Sequence, residues 1–342
     1  MTIKLNQNCD TDLRQQFDSA FAPVAEAVAS GNIPGAAFGM IDLKRGRVAG
    51  ATGMASLTPD RRPMELDTWF DLASVSKVLF TTPRILELHA AGRLDLDAPL
   101  TSVIPDLRQY TPDAWERKVT FRQCLGHQTP FPADVAIFTY GDNPALLRNF
   151  VLQYKWEATP AAYSCVNYIL LGIALERLEG KAIREMDPGP GFAFSPPPEQ
   201  TAATEFCTWR NRVVVGEVHD ENCAALQGAG NAGLFGTIDA VLNAAESLLR
   251  QDQAGDPVAK LQRAPLSEKR THGWERPYVG WTGGDRANAS TIGHTGFTGT
   301  GLWIDFDNQR AWSLLTNRVH PSRYVETGIL TLRRAVGDIV NR

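Results

Sequence analysis

The sequence predicts a mixed α/β fold (α+β in layout): an antiparallel sheet flanked by helices from the two chain ends, with an all-α lobe inserted between them. Three observations carry this. Runs of β character occur near residues 36–51 and return after residue 290. Amphipathic helical patterns occupy both ends, at 11–30 and 322–341. From about 95 to 265 the chain reads as helix and proline-rich loop. The expected division is therefore 1–95 with 266–342 as an α/β lobe, and 96–265 as a mostly helical lobe, with the active site at their interface.

Each element follows from its local pattern. Leu13, Phe17, Phe21, Val24 and Val28 recur at helical spacing from Thr11 to Ser30, and Gly31 and Pro34 end that helix. Ala36 to Leu43 and Arg47 to Ala51 read as a strand pair around Lys44-Arg45-Gly46. Leu72 to Ala91 reads as one helix with Ser74 and Lys77 in its first turn; Pro83 should kink it, and Gly92 should cap it. Helices are expected at Pro144 to Gln153, Val166 to Leu178 and Ile238 to Arg250. Asp187 to Glu199, with its Gly-Pro-Gly and Pro-Pro-Pro, should be an irregular surface loop. Thr291 to His294, Gly301 to Asp305 and Ala311 to Thr316 read as strands, and Ser322 to Asn341 as a closing helix.

Composition narrows the class. A chain of 342 residues with 43% hydrophobic and 21% charged residues is ample for a core and ordinary for a soluble globular protein. A net charge of −4 gives no electrostatic case for nucleic acid or an anionic membrane as partner. No apolar run approaches the ~20 residues of a membrane span. Met1 to Asp10 lacks the apolar core of a signal peptide. Cys9, Cys124, Cys165, Cys207 and Cys223 are scattered, without a Cys-x-x-Cys pair, and read as reduced thiols of a cytoplasmic protein.

The chemistry begins at Ser74-Val75-Ser76-Lys77, the only Ser-x-x-Lys in the chain. A serine hydroxyl keeps its proton at neutral pH and needs a partner to become a nucleophile. A lysine one helical turn away lies on the same face. When partly desolvated it can lose its own proton, or lower the pKa of a neighbouring base. A helix start also directs backbone N–H groups at a developing oxyanion. Two further stretches suit such a site. In Tyr163-Ser164-Cys165-Val166-Asn167-Tyr168, a tyrosine near a lysine can act as a phenolate base, although aromatics on a helix also simply pack. In Gly293-His294-Thr295-Gly296-Phe297-Thr298-Gly299, glycines let a substrate carbonyl approach the backbone, or else form a tight hairpin.

Taken in order, Ser74-x-x-Lys77, Tyr163-Ser164-Cys165 and His294-Thr295-Gly296 resemble the three motifs of the serine β-lactamase and penicillin-recognising family. The resemblance is closest to its class C-like branch of AmpC-type β-lactamases, D-alanyl-D-alanine carboxypeptidases, D-amino-acid amidases and family VIII esterases. The flanks agree: Asp67 to Ser74 resembles the approach to the nucleophile, Ala91 to Leu100 the segment after it, and Leu315 to Pro321 the final strand and its turn. The resemblance implies a β-lactamase/transpeptidase-like fold and a hydrolase acting on a small ester, amide or lactam, without metal or organic cofactor. It implies Ser74 as nucleophile, Lys77 as its proton shuttle and Tyr163 as general base. It also implies the N–H groups of Ser74 and Phe297 as oxyanion hole, with Cys165, His294, Thr295 and Gly296 against the substrate.

Three departures bear on substrate. Cys165 stands where the family often has asparagine, and a thiol is a weak hydrogen-bonding group. It is also a rival nucleophile, but no histidine lies near it in sequence. His294 stands where β-lactamases and penicillin-binding proteins usually have lysine, and an imidazole is mostly neutral at pH 7. That favours neutral esters or amides over β-lactams. Gly126-His127-Gln128 also differs from the family's Ser-Gly, and His127 reads as structural. His219-Asp220-Glu221 fits no standard metal spacing. Trp209, Trp274, Tyr278 and Trp281 are candidates for the cleft wall. The expectation is a serine esterase or amidase. The alternatives are a β-lactamase or D-Ala-D-Ala carboxypeptidase, an acyltransferase, and a non-catalytic binding protein of the same fold.

Overall fold

In the computed structural model, residues 4–342 are described, with Lys4, Asn6 and Gln7 as backbone only. Met1, Thr2 and Ile3, the start of the stretch read for a leader peptide, lie outside the described residues. The strands are β1 (Lys4–Cys9), β2 (Gly35–Asp42), β3 (Gly46–Ser56), β4 (Thr291–Thr295), β5 (Gly301–Asp305) and β6 (Arg310–Thr316). They form one antiparallel sheet in the order β1-β3-β2-β6-β5-β4, and Arg62–Pro63 adds to the end of β3. The strand pairs at 36–51 and after 290 thus meet, with β6 seated beside β2.

Two layers of helix cover the sheet. Helix α1 (Thr11–Ala29) starts at Asp10, whose carboxylate accepts from the Leu13 N–H at 2.8 Å. Alternation along β2 sends Phe38 and Met40 to one face and Ala37 and Ile41 to the other. Phe38, Trp303 and Trp312 pack under Phe17 and Phe21 of α1 and under Leu332 and Val336 of the last helix. Trp303 and Trp312 sit directly opposite on β5 and β6, their rings stacked 3.9 Å apart. The opposite face carries Ile238, Val241, Leu242 and Ala245 of Ile238–Gln253, a helix that packs on β2 and β6.

Differences from the sequence reading have local causes. β1 was not expected because Lys-Leu-Asn-Gln-Asn-Cys lacks apolar alternation; an edge strand paired only with β3 does not need it. The helix expected over 72–91 is three pieces: a 3₁₀ turn at Ala73–Val75, a π turn at Lys77–Thr81, and α2 (Thr82–Ala90). Pro83 cannot donate to the carbonyl four residues back, and the wider π turn absorbs the missing bond, with the Thr82 N–H reaching Lys77 O instead. Helix α3 (Pro144–Gln153) begins and ends where its pattern does. In α4 (Cys165–Glu179) every residue from Val166 to Leu175 is buried, so this helix is enclosed on all sides. Ile238–Gln253 is α5. The closing helix α6 begins at Ile329, not Ser322, because Gly328 sits at φ +65° and Arg323 is pulled into ion pairs with Glu205 and Glu221. Asp187–Glu199 is irregular apart from two short pieces, Phe192–Ala193 and Pro198–Gln200. Among the described residues, no helix is long and apolar enough to cross a membrane.

Gly337 lets α6 press on the turn at Gly283-Gly284: a Cβ added there would fall 2.1 Å from the Gly283 carbonyl oxygen. In an open helix, Gly→Ala stabilises by about 1 kcal/mol. Here the backbone clash, on the order of 1–3 kcal/mol, wins. Gly337→Ala should lower Tm by several degrees in a thermal melt, and an unchanged or higher Tm would show that the turn yields.

Candidate active site

The segment that carries Ser74 is bent before it becomes helical. Asp71, buried, accepts from the Ala73 N–H at 2.7 Å with one carboxylate oxygen and from the His219 N–H at 2.6 Å with the other. Burial raises the Asp71 carboxyl above its ordinary value, and those two N–H donors pull against it. Ala73 is thereby held at φ +46°, an uncommon conformation for a residue with a Cβ. This elbow turns Ser74 outward, half-buried, at the start of the 3₁₀ turn. The segment is fixed from two sides. Thr298 and Thr300 hydroxyls donate to the carbonyls of Asp71 and Leu72 at 2.7 and 3.0 Å, and Ser76 Oγ accepts from the Leu234 N–H at 3.0 Å.

Lys77 is fully buried. Its Nζ donates to Ser74 Oγ at 2.9 Å and to the Asn231 carbonyl at 2.8 Å, and it lies 3.6 Å from Cys165 Sγ. The Tyr163 ring packs beside this pair, its centroid 5.2 Å from Lys77 Nζ, and its phenol is electrostatically coupled to Lys77. The Lys77 amine thus contacts the Ser74 hydroxyl, and the ring of Tyr163, 86 positions after Lys77, packs beside them.

The electrostatics differ from a lysine that simply sheds its proton. Burial disfavours the Lys77 ammonium, but the anionic forms of Cys165 and Tyr163 favour it more, and the net direction is upward. Burial also raises the Tyr163 phenol and the Cys165 thiol, each against the pull of Lys77. A buried cluster of this kind releases its first proton as a unit.

His127 and His294 frame Tyr163, with ring centroids 4.4 and 5.9 Å from its own. The Ser164 N–H donates to His127 Nδ1 at 3.2 Å, which places the His127 proton on Nε2. His294 Nδ1 faces the Thr295 carbonyl at 2.9 Å and so carries the proton there. Burial, with the charges of Arg270 and Lys77, holds both imidazoles well below their ordinary pKa. His294 is therefore neutral. The Arg270 guanidinium carbon lies 5.3 Å from the Tyr163 centroid, and Arg270 pairs with Glu275 at 3.2 Å. Beyond Thr295 and Gly296, Phe297 is 48% exposed, its ring covered by Arg318 at 4.7 Å and stacked with His219 at 5.6 Å.

The four aromatic wall candidates separate. Trp274 and Trp281 are fully buried, their indole N–H groups donating to Gln262 and Glu275 at 3.1 and 3.0 Å; they are core residues, not cleft wall. Trp209 packs on Phe138, and Tyr278 lies under Lys269. Sequence reading missed Asp71, Asn231, Arg270 and Arg333. Only Asp71, three residues before Ser74, carried a positional signal. Among the described residues, no group of three or more His, Cys, Asp or Glu side chains is placed to hold a metal ion.

Comparison with known proteins agrees with this geometry. A family model described as Beta-lactamase matches residues 21–336. The chain is 28% identical over 311 residues to an N-acetylmuramyl-L-alanine amidase of Bacillus subtilis (strain 168), covering 76% of this chain and 70% of that protein. It is 27% identical over 307 residues to a putative D-alanyl-D-alanine carboxypeptidase of Escherichia coli (strain K12), covering 74% and 70%. In fold it matches a class C β-lactamase with a TM-score of 0.73 at 17% identity, over 96% of this chain and 99% of that one. A β-lactamase/D-alanine carboxypeptidase from Pseudomonas syringae matches with a TM-score of 0.72 at 18% identity, over 94% and 98%. With nearly its whole length matched, the chain belongs to the Beta-lactamase family, has the β-lactamase/transpeptidase-like fold, and is a serine hydrolase of that superfamily.

Proposed function

We propose that this protein cleaves a small ester or amide through an acyl-enzyme on Ser74. The observation that carries the reading is the 2.9 Å contact between Lys77 Nζ and Ser74 Oγ, with the Tyr163 ring centroid 5.2 Å from that nitrogen. In this mechanism the active form has lost one proton from the Lys77–Tyr163 couple. Ser74 Oγ attacks the carbonyl carbon and its proton passes to that couple. The N–H groups of Ser74 and Phe297 receive the tetrahedral oxyanion. The couple then protonates the departing alkoxide or amine, and the acyl group stays on Ser74. Water repeats the sequence in reverse, its proton passing to the couple and returning to Ser74 Oγ as the acid leaves.

The neutral His294 supports an uncharged ester or amide over a β-lactam whose carboxylate needs a fixed cation, and Arg270 shares its charge with Glu275. Relatives named as an amidase and a putative carboxypeptidase support amide cleavage beside ester cleavage. On this reading Cys165, Thr295 and Gly296 line the substrate cleft, at the interface between the 1–95 with 266–342 lobe and the 96–265 lobe. Helix α5 would belong to the second lobe in sequence while packing on the sheet of the first. The five free cysteines support a cytoplasmic setting.

A fluorophosphonate probe read by intact mass should add one adduct to the wild-type protein and none to Ser74→Ala. Absence of any wild-type adduct across a broad acylating probe set would favour a binding protein. Lys77→Ala and Tyr163→Phe should each lose on the order of 10² or more in kcat/KM; near-wild-type rates in either would overturn its role. Because Tyr163 and Lys77 both hold protons more tightly than usual, the active couple forms only as pH rises. The kcat/KM for a p-nitrophenyl ester should therefore climb from neutrality past about pH 8, with a macroscopic pKa belonging to the couple. A profile that falls above neutrality would contradict this.

A further inference from the structure

Arg333 is 3% exposed on α6, and no carboxylate among the described residues forms an ion pair with it. Its Nη2 donates to the Thr300 carbonyl at 2.7 Å and to the Gly296 carbonyl at 3.2 Å. These carbonyls bracket the loop that carries Phe297. The Gly296 carbonyl and the Phe297 N–H are two ends of a single peptide group.

We propose that Arg333 is a positioning residue of the oxyanion hole, gripping and polarising the Gly296–Phe297 peptide whose N–H faces the developing oxyanion. The proposal rests on the acyl-enzyme reading above. A cationic donor on a peptide oxygen draws electron density from the same peptide's N–H, which then donates more strongly. The Gly299 N–H, at 3.1 Å, adds a second donor to that oxygen. The loop has little freedom to drift: the Gly296 N–H donates to Thr300 O at 2.8 Å, and a Cβ on Gly296 would fall 2.2 Å from Thr300 Oγ1 and 2.5 Å from Leu72 O. Thr298 and Thr300 then tie the loop to Asp71 and Leu72, so Arg333 fixes the Phe297 N–H relative to Ser74.

The charge itself argues for more than scaffolding. Burying a guanidinium without a carboxylate is expensive, and a neutral donor would bracket two carbonyls at less cost. Burial and the nearby Arg318 pull the Arg333 pKa down to about 9, so it remains a cation at neutral pH. Inside a poorly solvated core, that charge acts on an oxyanion with little screening.

The test pairs Arg333→Met and Arg333→Lys with a p-nitrophenyl ester and phenylboronic acid, which forms a tetrahedral adduct on an active-site serine. The Met variant should lose about 10- to 100-fold in kcat, with KM within about twofold, and bind the boronate weaker by a similar factor. The Lys variant should recover part of both losses. An unchanged boronate affinity in a folded Met variant overturns the proposal, as does a Lys variant no better than Met. If Met does not fold, Arg333→Gln is read by the same two measurements. Fluorophosphonate labelling of the wild type separates the failures. An unlabelled wild type removes the acyl-enzyme reading, whereas a labelled wild type with unaffected Arg333 variants removes only this inference.

Discussion

Everything at the site depends on holding one ammonium in a fully buried place without a carboxylate partner. Lys77 is solvated instead by a hydroxyl, a backbone carbonyl and a thiol, with the rings of Tyr163 and Tyr168 at 5.2 and 5.7 Å from its nitrogen. Desolvation alone would cost several kcal/mol. Direct acceptors, aromatic faces and the ionisable neighbours together offset it. A carboxylate in contact would stabilise Lys77 more, and would trap its proton. The arrangement seen here keeps the charge without a carboxylate in contact. The polar surroundings extend outward: among the described residues, His127 Nε2, His294 Nε2 and Arg270 Nη1 meet no protein hydrogen-bond partner.

The backbone serves the same end. A non-glycine elbow at Ala73, a 3₁₀ turn and a π turn occupy the stretch where an uninterrupted α-helix would be cheaper. Asp71 holds the elbow from one side, the Thr298–Thr300 loop from another, and Ser76 from beneath through Leu234. Strain at Ala73 persists because three independent anchors fix it.

Much of this was legible in the sequence, and the legible part has a common character. Ser74, Lys77 and Tyr163 announce themselves because chemistry demands those residue types, and their neighbours repeat a known order. Strands β2 to β6 and α3 were found because alternation and spacing record burial locally, whereas edge strand β1 was not. What stayed hidden depends on distant chain segments. The 3₁₀ and π turns follow from Pro83 acting together with anchors more than 140 residues away. His294 suggested that the site had lost a cation. The structure places the guanidinium of Arg270, 24 positions earlier, over the same tyrosine. Trp274 and Trp281 read as cleft wall because tryptophan suits a binding surface, but the sheet edge buries both. Arg333 looked like one more charge on a terminal helix, and nothing local records that its guanidinium meets the carbonyls of Gly296 and Thr300.

The position of β6 in the sheet has a further effect. It lies between β2 and β5, so a strand made at residues 35–42 waits for one made at residues 310–316. Until residues 310–316 emerge, β2 and its hairpin partner present an open edge rich in small and apolar side chains, the kind that pairs with other chains. Assembly of the central sheet therefore waits for residues 310–316 and is slowed by loop-closure entropy. The newly made chain must be shielded from its own copies for longer than a protein whose strands pair in order.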